Sequence, residues 1–417
     1  MSSPRSAEPE NPSRIEFAAL VKAYLVENGI CNDAILNVEQ FTLVCQSDNQ
    51  WDAQTFLLAN AYEDYCQVEV EDRPKVIAHY FAQDDAIPTE LARAIDNVLP
   101  HIQARGSFDI IKLTPKSEND SDISDAQAQI PLRVIAEHFQ LSLVYDTPKS
   151  MSHLNQKVLD SWDIGFEELM ERAQKNLAAI TPEPFRQITP GIYCSPYSDN
   201  HDATRVMLIN RVKECPVKGR HLAFTPNRDS LLITGDEDEA SIAVVAATVQ
   251  DLLNSPRPLP AFPLVLQDEV WQIWDVPKFH PSAQLIANLS NYGFNDIYGL
   301  QKAVLDLEHE RDNIEIFIGS FKALTREGSD EIISICSWGE GVPTLLPVTE
   351  LINFVVTKGE SFDLLFAAPF EIALAVVGAR MQPVDIYPPR FYVDTFPTKD
   401  ELDKIRALAE KAGTLIV

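Results

Sequence analysis

Residues 254–263, NSPRPLPAFP, place four prolines in ten positions. Each proline lacks the backbone N–H that a helix or a central strand uses, and each fixes φ near −65°. The stretch therefore reads as an extended, stiff spacer. At 417 residues the chain is also longer than one hydrophobic core usually serves. Two lobes are expected, 14–265 and 266–417. The first is expected to subdivide at 115–129 (PKSENDSDISDAQAQ), a polar, acidic run with too few apolar residues to fold. Residues 1–13 read as a disordered tail.

Periodicity fills both lobes with short helices and alternating strands. Phe17, Leu20, Val21, Tyr24 and Leu25 recur at helical spacing. So do Phe166, Leu169, Met170, Ala173 and Leu177, with Glu167 and Glu168 at the positive end of the helix dipole. Ala92–Leu99 reads as a helix closed by Pro100, Phe108–Leu113 as a strand, and 240–253 as a nearly all-apolar helix. Ile314, Ile316 and Ile318, a turn at 326–330 and then Ile332–Trp338 read as a hairpin. Thr398 and Glu401 form a capping box, Gly413 stops that helix, and Thr414–Val417 is expected as a last strand. Without regular βαβ punctuation, the fold class is α+β: two lobes of mixed, largely antiparallel sheets flanked by helices.

Charge narrows the partners. Asp and Glu number 62 against 34 Lys and Arg, a formal net charge of −28. Phosphate backbones and anionic lipid surfaces are repelled by such a body, so neither nucleic acid nor membrane is expected as a partner. A basic protein partner is compatible with it. The excess is spread along the chain: 266–417 alone holds 23 acids and 12 bases. An even spread also serves plain solubility. The six cysteines are scattered, with no C-x-x-C pair and no histidine at ligand spacing, so no metal or cofactor is expected. The polar N-terminus, MSSPRSAEPENPSR, has no apolar signal core, and no run reaches membrane-span length. A cytoplasmic location is expected.

Two polar knots interrupt apolar text between Asn200 and Asp238: Asp202-Ala203-Thr204-Arg205 and Asn227-Arg228-Asp229. An arginine offers a planar fork for a carboxylate or phosphate, and a neighbouring aspartate can orient it or act as a base. His201 adds a group that titrates near neutrality. Asp202, Arg205, Arg228, Asp229 and His201 are thus the candidate cluster, expected to converge in space. The competing reading is structural, because an Asp and an Arg on adjacent elements commonly form a register-fixing pair. Cys336, before Ser337-Trp338-Gly339-Glu340-Gly341, reads as a core cysteine without an identifiable base. Asp236–Glu239 lacks the spacing of a calcium loop and reads as a solvated helix N-terminus. Trp271 and Trp274 read as packing residues.

Three blocks of text resemble the YtpQ-like family of bacterial proteins. They are the opening helix and strands through Ala61-Tyr62-Glu63-Asp64-Tyr65, the stretch Leu141–Leu177, and DATR with TPNRD. The resemblance covers about 15–265, leaving 266–417 as an unassigned extension. Where the family commonly shows Tyr-Asp-Ala-Ser-Arg, this chain has His201-Asp202-Ala203-Thr204-Arg205. The family has no established activity, so the resemblance implies no catalytic residues. The expected function is a non-catalytic, adaptor- or immunity-like interaction scaffold. The alternative is a hydrolase or transferase acting on an anionic small molecule at the Asp/Arg cluster.

Overall fold

Ser13 opens the first helix, Arg14–Glu27, by a reciprocal capping box with Glu16. Its face of Phe17, Val21 and Leu25 is buried against the helices Ala59–Gln67 and Arg73–Phe81, and an antiparallel sheet of 33–37, 42–46 and 55–57 joins them. The computed structural model describes residues 11–415 apart from 32, 39–40, 47–54, 82–86, 108–129, 148–149, 254, 256, 278, 327 and 359–360. Most of the expected tail, the 115–129 linker and the 108–113 strand lie outside the described residues. Among the described residues the chain is α+β, with mostly antiparallel sheets.

The central region holds two antiparallel sheets. One pairs Val98–Ala104 with Phe139–Asp146, which also pairs with Arg133–Ile135 and Met151–His153. The other has six strands in the order 270–273, 264–267, 221–224, 232–235, 192–194 and 186–189. Helix Phe166–Ala179 lies on strand 98–104, where Asn176 donates to the carbonyls of Ile95 and Val98 at 2.7 and 2.9 Å. Helix Glu239–Leu252 is capped by Asp238 and buries Ile242, Val245 and Val249 against the six-stranded sheet.

Further along lie two four-stranded sheets, 317–318/344–347/390–393/382–384 and 322–325/332–339/351–358/361–369, covered by the helices Phe370–Val377 and Lys399–Ala412. Each sheet contains one parallel pair. The Thr398–Glu401 capping box and the left-handed Gly413 stop are both present.

Four local expectations change. Residues 92–99 do not stay helical: a short helix and one 3₁₀ turn give way to a strand at Val98 that runs through Pro100. That strand is an edge, where a missing N–H is tolerated. The hairpin before Ile332 is built by Lys322–Thr325, while Phe317–Ile318 pairs in parallel with Thr344 and Leu345 in the other sheet. Thr414 and Leu415 carry no strand.

The fourth change concerns the proline-rich stretch. Its described part is no free spacer: Arg257 takes a left-handed φ of 57°, and Leu259, Ala261 and Phe262 are buried in the central core. Strand Leu264–Gln267 straddles the expected 265/266 boundary, and Val270–Ile273 completes the same sheet. Proline removes a donor but leaves its carbonyl and its neighbours' side chains free to pack. Leu259 accordingly donates its N–H to the Pro226 carbonyl, and the Arg257 carbonyl accepts from Arg228 N–H. The long helix Ala283–Asp312 then spans both regions. Ile286, Leu289 and Ile297 enter the central core, and Asn291 donates to Ile332 O.

Candidate functional site

The turn at 198–202 positions the candidate cluster. Ser198 and Asn200 both take positive φ, at 52° and 69°, and a polar turn residue such as Asn adopts that conformation more readily than most. Asp199 thereby faces the 3₁₀ turn Ala203–Met207, where its two oxygens accept Nη1 and Nη2 of Arg205 at 2.6 Å each. Arg205 is fully buried, donates Nε to the Thr181 hydroxyl at 3.0 Å, and holds its guanidinium 3.9 Å from the Tyr197 ring centre. Burial alone would raise the Asp199 carboxyl, but the Arg205 fork outweighs it and holds the group below its ordinary value.

Asp202 and Arg205, one turn apart, form no side-chain pair with each other. Asp202 is buried and accepts the Ser198 N–H at 3.3 Å through Oδ1, and Oδ2 has no partner among the described residues. Only its backbone carbonyl meets Arg205, at the amide. Asp199, in the turn ahead of the 3₁₀ segment, supplies the partner instead. His201 is buried as well, with Nε2 3.0 Å from Oδ2 of Asp146.

The second knot is an Asx turn in which Asn227 accepts the Asp229 N–H at 3.0 Å. Arg228 donates Nη2 to Asn200 at 2.5 Å and Nε to Asp229 at 3.3 Å, while its carbonyl accepts the Ala203 N–H. The two knots are thus neighbours joined through 199–203, yet their side chains form separate networks. Burial, then the nearby Arg257 charge, lowers the Arg228 pKa. Arg257 itself donates to Asp64 at 2.9 Å and to the Tyr80 hydroxyl at 2.7 Å, with Asp229 at 3.5 Å.

Arg228 and Asn200 open onto a cleft of about 550 Å³ whose other walls include Tyr80, Asp96, Asp146 and Asp199. The chain matches no family model, no curated protein and no solved structure. The site therefore has to be read from its own chemistry. Asp96 is exposed, without an ion pair among the described residues, and Asp146 keeps Oδ1 outside its bond to His201. Under the cleft His101 and His153 face each other, ring centres 5.5 Å apart. Burial pushes both below the usual histidine value, His153 to about 4, and the charges of His153 and Arg228 push His101 further.

Sequence reading missed Asp199, Asp146, Asp96 and Tyr80. Asp199 lies three residues before the Asp202–Arg205 knot, just outside the Asn200–Asp238 stretch. Asp146 lay in the second of the three resembling blocks, where no spacing tied it to His201. The other motifs fall out of the site. Cys336 is buried, its thiol pushed up to about 12 by burial and lying 3.2 Å from the Thr349 hydroxyl. Asp236 pairs with Arg220 and Asp238 caps a helix. Trp271 and Trp274 are buried, and Trp271 donates to Val206 O at 2.9 Å. No three His, Cys, Asp or Glu among the described residues are grouped to hold a metal ion, and no described helix is long and apolar enough to cross a membrane.

Proposed function

We propose that this chain is a non-catalytic interaction protein whose cleft receives a cationic side chain of a basic protein partner. One observation carries the reading: the cleft's arginine is already engaged by Asn200 and Asp229, whereas Asp96 and an oxygen of Asp146 remain as acceptors. A site so arranged attracts Lys or Arg and repels an anionic substrate. The net charge of −28 extends that attraction over long range and speeds encounter at low salt.

All three blocks resembling the YtpQ-like family contribute to this neighbourhood, through Asp64, Asp146 and Arg228. Membership of that family over 15–265 is part of the proposal and rests on the sequence blocks themselves. Free thiols at Cys31, Cys66, Cys194, Cys215 and Cys336 support a reducing, cytoplasmic setting. Affinity purification from the native cell, run at low and high salt, tests the function. A specific basic partner released by salt is expected. Recovery of no partner, with a small anion retained through Arg228, would replace this reading with the hydrolase or transferase alternative.

A further inference from the structure

A second cavity, which shares no lining residue with the acidic cleft, lies between the end of strand 98–104 and the long helix Ala283–Asp312. It holds about 330 Å³ and is lined by Arg105, Ile297, Leu300, Val304, Glu308 and Tyr387 among others. That volume is at the small end of the roughly 300–1,000 Å³ usual for small-molecule sites.

Arg105 is the informative group. Its Nη1 donates to the Glu137 carbonyl at 3.2 Å and its guanidinium lies 4.0 Å from the Tyr387 ring centre. Among the described residues no carboxylate pairs with it, and Nε and Nη2 have no acceptor. It is a half-buried arginine without an acid among the described residues, in a chain with nearly two acids for every base. The guanidinium is nevertheless fixed in place. Tyr387, on which it stacks, is hydrogen-bonded through its hydroxyl to Nδ1 of His138 at 2.9 Å, and the His138 ring packs 4.1 Å from Phe262. Gln301 donates to the Pro388 carbonyl at 2.8 Å and so holds the opposite wall against the helix. An oriented fork with two open donors matches a carboxylate side-on, with little ordering left to complete on binding.

The rest of the cavity is apolar on one side. Ile297 and Val304 are buried, and Leu300, one helical turn before Val304, is 42% exposed at the mouth. Glu308 lines the wall one turn beyond Val304 and repels a second anionic group there. From these features we infer that the cavity binds a small monocarboxylic acid with an apolar body, its carboxylate on Arg105 and its hydrocarbon or ring along Leu300 and Val304.

Titration calorimetry of the full chain with 3-phenylpropanoate, 3-phenylpropanamide and 3-phenylpropylamine tests this. The acid is expected to bind about ten-fold or more tightly than the neutral amide, since hydrogen bonds to charged groups outweigh neutral ones. The amine should not bind in the cavity. Arg105→Gln should abolish the preference for the acid over the amide. Because Arg105 packs on Tyr387, Leu300→Glu at the exposed mouth serves as a second variant that leaves the packing intact, and it should weaken the acid by a similar factor. Equal binding of acid and amide, acid binding unchanged in both variants, or no binding of the acid would each overturn the inference. None of these outcomes bears on the acidic cleft, which shares no lining residue with this cavity.

Discussion

Arg205 is enclosed on every side: a carboxylate takes both ends of its fork, a threonine takes Nε, and a tyrosine ring covers its face. Arg228 stands in similar text, beside an aspartate and ahead of an apolar strand, but rims an open cleft and binds the neutral Asn200 and a half-exposed Asp229. The two differ in what replaces the lost water. At Arg205 a full set of charge-assisted bonds does so, which makes the pair a structural fastener between the 198–202 turn and the 3₁₀ segment. At Arg228 the neighbouring Arg257 opposes the charge, and the side chain lines an open cleft. The lesson is that an Asp/Arg knot in sequence does not reveal its role until its true partners are known.

Arg205→Ala is the strongest way to break this contrast. Removing one member of a buried pair costs about 3–5 kcal/mol. Asp199 is 36% exposed and regains some hydration, so the lower end, about 3 kcal/mol, is expected from urea unfolding. A loss below about 1 kcal/mol would show that the enclosure contributes little.

Acid should separate the two regions next. His101 and His153, beneath the Arg228 side, have folded pKa values below their ordinary 6.5, His153 at about 4. The unfolded chain then binds more protons between those values, so stability is full above pH 6.5 and falls as pH drops toward about 4. His153 alone corresponds to about 3 kcal/mol. Asp199, held below its ordinary 3.8, keeps the Arg205 pair intact through that window and releases it only at lower pH. Two steps are expected in the unfolding midpoint against pH, and His153→Gln should diminish the upper one. A single step below pH 4 would contradict the assignment.

Arg228→Ala should cost far less, about 1 kcal/mol, because Asp229 retains Arg257 at 3.5 Å and the repulsion between the two arginines is relieved. A loss matching that of Arg205→Ala would erase the distinction between the sites.

Much of the scaffold was legible in sequence because it rests on local chemistry. The Thr398–Glu401 box and the Phe166–Ala179 stripe each depend on neighbours within about one helical turn. The partners of the candidate residues were not legible. Asp146 reaches His201 across 55 positions and Asp64 reaches Arg257 across 193, and no periodicity encodes such pairings. The proline-rich stretch misled for a related reason. Composition limits its backbone, but whether such a segment is free or buried depends on what lies beside it, here the Asn227 turn that pairs with Pro258.

The cleft itself is tested most directly at Asp96, which is exposed and has no ion pair among the described residues. Asp96→Lys should leave unfolding within about ±0.5 kcal/mol of the parent. Calorimetry of the captured basic partner against Asp96→Lys and the parent, at low salt, then reads the site without a folding artefact. A fall in affinity of about ten-fold or more, shrinking as salt is raised, is the expected result. Affinity unchanged by the reversal, with the fold intact, would contradict a cation-receiving cleft.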